Sequence, residues 1–135
     1  MDDITVERLY SEKQKALELT LLTSEEGLKR SIPGSEIHRP GLALAGYVER
    51  FANQRTQVLG ETEMTFLSSQ DQQGRKKAVN NIFRFDLPCL IITKGLTPPQ
   101  ELLESPPCSE IAEKDVDKQV VQHFLQFYEG LEYHL

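Results

Sequence analysis

The chain has 135 residues, and 15 Lys and Arg against 21 Asp and Glu leave a formal net charge of −6. That length fits one domain, and 39% hydrophobic with 27% charged residues fits a globular chain, not a disordered tail. No apolar run approaches the ~20 residues of a membrane span, no basic-then-apolar leader opens the chain, and the acidic balance offers no field for nucleic-acid phosphates.

Thr5 is placed to cap a helix from Val6 to about Lys15, with Val6, Leu9 and Tyr10 on one face. Leu17 to Leu22 reads as a strand carrying Leu17, Leu19 and Leu21 on one side, ended by the turn-like Glu25 to Lys29. Ile32 to Ile37, broken by Pro33 and Gly34, is a short or edge strand. Pro40 and Gly41 mark a turn, after which Leu42-Ala-Leu-Ala45 makes a compact buried helix. Thr56 to Leu59 is β-prone and is closed by Gly60. A helix follows from Glu61 to Ser69, and a second from Asp71 to Phe83 groups Ala78, Val79, Ile82 and Phe83.

Pro88 to Thr93 is the clearest strand, and its unbroken apolar run predicts a central position covered on both faces. It passes through Lys94-Gly95-Leu96 into a helix with Thr97 as N-cap, Pro98 at the first helical position and Gln100 completing a capping box. Cys108 to Glu113 is a further strand. Asp115 then caps a last helix with Val116, Val120, Phe124, Tyr128, Leu131 and Leu135 on its stripe. Strands alternating with helices predict an α/β class. The expected architecture is one three-layer-like domain over residues 1–135, a small mixed sheet of about five strands flanked by helices.

The chemical signals are sparse. Gly41-Leu-Ala-Leu-Ala-Gly46 has the glycine spacing of a phosphate-binding loop, but Tyr47 and Val48 stand where that loop needs Lys and Ser or Thr. A packing helix bounded by glycines is the expectation there. His38, His123 and His134 are scattered, and Cys89 and Cys108 lie on separate strands, so no metal site is expected. Two cysteines without an export signal fit a reducing cytoplasm. No nucleophile elbow is present, the carboxylates Glu25/Glu26 and Glu61/Glu63 read as solvated, and Arg75-Lys76-Lys77 reads as the wet face of a helix. Catalytic residues are therefore not assigned.

One group remains as a candidate anion site. His38, Arg39, Arg55, Thr93 and Lys94 fall in loops or at strand ends, where α/β sheets bind ligands, and the backbone N–H groups at 97–100 would add positive potential. The competing reading is that Arg39 and Arg55 tie loops to carboxylates and carbonyls within the fold.

Three segments carry a family resemblance: Glu36-Ile-His-Arg-Pro-Gly-Leu-Ala-Leu-Ala-Gly-Tyr47, Arg55-Thr-Gln-Val-Leu-Gly-Glu-Thr-Glu-Met64, and Pro88-Cys-Leu-Ile-Ile-Thr-Lys-Gly-Leu-Thr-Pro-Pro-Gln-Glu-Leu-Leu-Glu104. In order and spacing they resemble the N-terminal domain of HPr kinase/phosphorylase, whose pattern holds D-I-x-R-P-G-L-x-L-A-G-Y, R-I-Q-V-L-G-x-T-E and P-x-I-I-x-T-[RK]-G-L-x-P-P-x-E-L. Glu36 replaces the usual Asp and Thr56 the usual Ile. The resemblance implies an α/β domain similar to the substrate-binding domain of Mur ligases. It also implies a bacterial parent enzyme that uses ATP and Mg²⁺ to phosphorylate a serine of the phosphocarrier HPr, and removes that phosphate by phosphorolysis. Its phosphate-binding loop lies in a C-terminal catalytic domain beyond this chain, so no cofactor is expected here. The implied partners are that catalytic domain and HPr, within a hexamer, with neither nucleic acid nor membrane. Pro40, Gly41, Gly46, Tyr47, Gly60, Gly95, Thr97 and Pro98 would then be structural motif residues. The expected function is a regulatory or assembly domain; the alternative is a standalone ligand-sensing or interaction module that binds an anionic small molecule.

Overall fold

The computed structural model describes residues 4–23, 25–33, 36–104 and 106–113. The helix expected from Asp115 lies outside them. Thr5 ends the short strand β1 (Ile4–Thr5) and caps α1 (Val6–Leu17), its hydroxyl accepting from the Arg8 N–H at 3.1 Å. Such a cap contributes about 1 kcal/mol. The helix runs past the expected end and takes in Leu17, so that residue does not belong to the following strand. Glu18, at φ 50°, turns the chain, and β2 begins at Leu19 and runs to Thr23. A 3₁₀ turn (Glu25–Lys29) leads to β3 (Ser31–Ile32).

The segment expected as one broken strand divides between two sheets. β3 pairs antiparallel with β1, whereas β4 (Ile37–His38) is the edge of a five-stranded sheet. Two residues of ladder on each side are too local a signal for strand propensity to resolve. From β4 the chain continues through α2 (Gly41–Leu44), β5 (Thr56–Leu59), α3 (Glu61–Ser68), α4 (Gln72–Phe83), β6 (Cys89–Ile92), α5 (Gln100–Leu103) and β7 (Ser109–Glu113). The sheet order is β2-β7-β6-β5-β4, parallel from β4 through β7 and antiparallel only between β7 and β2. This is the small mixed sheet of five strands that the element pattern predicts.

Side chains alternate across it with the period of two that a pleated strand imposes. Leu90 and Ile92 of β6 and Leu59 of β5 enter one core with Ala43, Leu44, Met64, Leu67, Ala78, Val79, Ile82 and Leu102 from the four helices α2–α5. Cys89 and Ile91 of β6, Val58 of β5 and Ile111 of β7 face the other way, against Val6, Leu9, Ile4 and Ile32. β6 is therefore central and covered on both faces. All three parallel crossovers share one face, so the four parallel strands run in sequence order without a reversal. A crevice opened by reversed strand order is absent among them.

The expected cap at Thr97 is not formed. α5 begins only at Gln100, Pro99 is its N-cap at φ −67° and ψ 156°, and no side chain caps it. The reason is the Pro98-Pro99 pair. A residue before proline is pushed out of the α region, so Pro98 cannot serve as a first helical residue.

Candidate functional site

The phosphate-loop spacing at Gly41–Gly46 builds a closed helical turn. The N–H groups of Leu44, Ala45, Gly46 and Tyr47 donate to the carbonyls of Pro40, Gly41, Ala43 and Leu42, at 2.8–3.2 Å. Gly46 closes the turn at φ 108°, a region that costs a residue with a Cβ. Ala43 and Leu44 are buried, and Asn81 of α4 donates to the Leu44 carbonyl at 3.1 Å. These amides are spent within the chain and cannot cradle a phosphate. Leu42 and Tyr47 point outward and are exposed.

The five candidate anion-binding residues do not form one group. Arg55 precedes β5 and pairs with Glu36, which precedes β4, at 2.8 Å; both belong to the amino ends of the parallel strands. Arg39, Thr93 and Lys94 follow β4 and β6 and so lie at the carboxyl ends. His38 is the last residue of β4, with its ring 5.5 Å from that of Phe51. Burial, with the positive charge of Arg55, holds the His38 pKa below its ordinary 6.5. At neutral pH it is uncharged and supplies no charge to an anion.

At the carboxyl ends a different partner completes the cluster. Glu63, in the first turn of α3, is 3% exposed. Its Oε1 accepts from the Gly60 N–H at 2.7 Å and from Arg39 Nη2 at 2.9 Å. Glu63, which the sequence places in a solvated run, is instead buried, and the ion pair with Arg39 is why its burial is tolerated. The legible signal was Gly60-x-x-Glu63, a helix start with an acid at the third position, which reaches back to the cap N–H. Thr93 is buried, its Oγ1 3.5 Å from the Leu59 carbonyl. A Cβ on Gly60 would stand 3.5 Å from both Arg39 Nη2 and Thr93 Oγ1, so these groups surround one small space.

Lys94 and Gly95 form the tight turn after β6, at φ 58° and 62°, with the Leu96 N–H donating to the Thr93 carbonyl at 3.1 Å. Positive φ at both central positions is what a type I′ turn requires. The turn lifts the exposed Lys94 above the end of the central strand. Beside it, an open depression of about 640 Å³ is lined by Gln14, Lys15, Glu18, Leu19, Thr20, Gly95 and Ala112. It meets the candidate residues only through that turn.

Neither thiol is poised for chemistry. Burial pushes the Cys89 thiol up to about 12, and burial also raises Cys108. The two face opposite cores across the sheet, although Cys89 starts β6 and Cys108 immediately precedes the adjacent β7. Among the described residues, no group of three His, Cys, Asp or Glu side chains is placed to hold a metal ion. No described helix is long and apolar enough to cross a membrane.

Comparison with known proteins gives one family and one fold. Residues 4–112 match the family described as HPr Serine kinase N terminus. Among solved structures, the chain is similar to the CBS and DRTGG domains of the regulatory region of Clostridium perfringens pyrophosphatase, solved with the activator diadenosine tetraphosphate. The TM-score is 0.55 at 15% identity, over 85% of this chain and 44% of that one. At that identity the likeness is one of fold, and this chain spans less than half the length of its neighbour.

Proposed function

This chain belongs to the HPr serine kinase N-terminal family, and from that premise we propose that it is the non-catalytic regulatory or assembly domain of an HPr kinase/phosphorylase. In this reading residues 1–135 form one domain, and a separate C-terminal catalytic domain holds ATP and Mg²⁺. The catalytic domain phosphorylates a serine of HPr and removes the phosphate by phosphorolysis, within bacterial carbon-catabolite regulation in the cytoplasm. That domain and HPr are the partners, and the assembly is a hexamer.

The observation that carries the reading is the family match over residues 4–112. The closed turn at Gly41–Tyr47 supports it, because the one stretch with phosphate-loop spacing is occupied with holding α2 against α4. Sedimentation of this chain mixed with the catalytic domain of an HPr kinase/phosphorylase tests the assembly role. The expected result is a faster boundary containing both; two boundaries that move independently at every concentration would refute it.

A second reading rests on the carboxyl-end cluster. Arg39, the Gly60 N–H, Thr93 and Lys94 put donors and positive charge at one end of the parallel strands of an otherwise acidic chain. We propose that this end takes an anionic small molecule, as a ligand-sensing module would. The pyrophosphatase region of similar fold was solved with a phosphate-rich activator, which makes phosphate-bearing compounds the first probes.

A further inference from the structure

The donors at the carboxyl ends are already held by a carboxylate from the same chain, and the hold is incomplete. An arginine presents Nε and Nη2 as a fork that two oxygens fill together. Among the described residues Arg39 is engaged through Nη2, by Glu63 Oε1; its side chain is partly exposed, but its Nε is buried and has no hydrogen-bond partner among them. The same Oε1 also takes the Gly60 N–H. One carboxylate oxygen thus serves two donors while a third is left unsatisfied, and a buried unsatisfied donor carries a desolvation cost.

Arg39 Nη2 and the Gly60 N–H converge on one oxygen, and Nε sits beside Nη2 on the same guanidinium; an oxyanion with three oxygens suits these three donors better than a single carboxylate oxygen. A phosphate group would place one oxygen on each of Arg39 Nε, Arg39 Nη2 and the Gly60 N–H. The Thr93 hydroxyl borders the same methyl-sized gap, which exists because residue 60 has no side chain and which widens only when the Glu63 carboxylate leaves. The start of the eight-residue α3 contributes positive potential there.

We propose that Glu63 is an internal stand-in for a phosphate group, so that phosphate-bearing ligands bind this site only by displacing its carboxylate. The inference rests on the anion-binding reading and adds its regulation. The site is closed in this structure, and whatever draws Glu63 away from Arg39 opens it. A phosphate competes because it carries more charge than the carboxylate and fills both arms of the fork.

The test is a titration with inorganic phosphate, read from the backbone amide of Gly60 and the Nε–H of Arg39. Glu63→Gln keeps the shape but removes the competing charge, and is expected to bind phosphate about tenfold more tightly than the unaltered chain. Glu63→Asp keeps the charge and retracts it by one methylene; it too is expected to bind more tightly, which covers a failure of the glutamine variant to fold. Adding Gly60→Ala to either should abolish the gain, since its Cβ fills the space while meeting only ordinary contacts. Equal affinity in the unaltered chain and both Glu63 variants would leave the anion site standing and overturn the stand-in role. No phosphate response at Gly60 or Arg39 in any of them would overturn the anion site and this inference with it.

Discussion

Replacing Leu90 by alanine is expected to lower the free energy of unfolding by about 2–5 kcal/mol, the usual cost of a cavity where a buried leucine stood. Leu90 is fully buried at the centre of β6, the middle strand of five, and it enters the core closed by α2–α5. Its neighbours are fixed by the ladders to β5 and β7, so the site cannot collapse around the missing atoms. Leu42→Ala provides the contrast. That residue is 73% exposed, and its loss should change stability by less than about 0.5 kcal/mol. Urea unfolding followed by circular dichroism measures both. Similar midpoints for the two variants would mean that β6 is not the centre of the core.

Gly27→Ala is expected to destabilise by about 1–3 kcal/mol or more, through crowding and not through lost contacts. The added Cβ would stand 2.5 Å from the Ser109 backbone nitrogen and 2.6 Å from its Oγ. Neither side can yield cheaply, because Ser109 opens β7 and is in register with Cys89 of the central strand. Gly27 lies in the 3₁₀ turn that crosses over this point. Gly41→Ala is the matched control, since its Cβ would meet only Glu63 Oε2 at 3.7 Å. Thermal unfolding should separate the pair clearly, with Gly27→Ala melting well below Gly41→Ala. Equal melting points would show that the turn and β7 do not pack as closely as these distances require.

The two glycines also show what the sequence can and cannot convey. Periodicity reveals the elements that bury a regular face, and so α3, α4, β5 and β6 fall close to where the pattern places them, and α1 starts where it is expected but runs on through Leu17. Gly27 is indistinguishable from any turn glycine until β7, over 80 residues later, is laid against it. The same long-range closure explains Glu63. Read locally, it is one acid in the polar run Glu61-Thr-Glu63, which is solvated in most helices. Only the folding of Arg39 beside Gly60 pairs its buried carboxylate with a partly exposed guanidinium.

The errors elsewhere have local causes. Leu17 extends the alternation of Leu19 and Leu21 in sequence, but the left-handed backbone at Glu18 breaks the strand before it begins. At Thr97 the capping pattern was present, and the Pro98-Pro99 pair overrode it by steric exclusion of the helical region. In the candidate site, sequence nearness to strand ends grouped Arg55 with Arg39, although one precedes β5 and the other follows β4. Parallel strands put those positions at opposite ends of the sheet. Which end a loop occupies depends on strand direction, and no residue type encodes it.

In the proposed role this chain serves a kinase without being one. Phosphate transfer from Mg-ATP to a serine of HPr measures it most directly, using this chain alone, the catalytic domain of an HPr kinase/phosphorylase alone, and the two joined in order. The prediction is no phosphoserine from this chain, phosphoserine from the catalytic domain, and an altered transfer rate when the two are joined. Phosphoserine formed by this chain alone, and lost on Arg39→Ala, would contradict it.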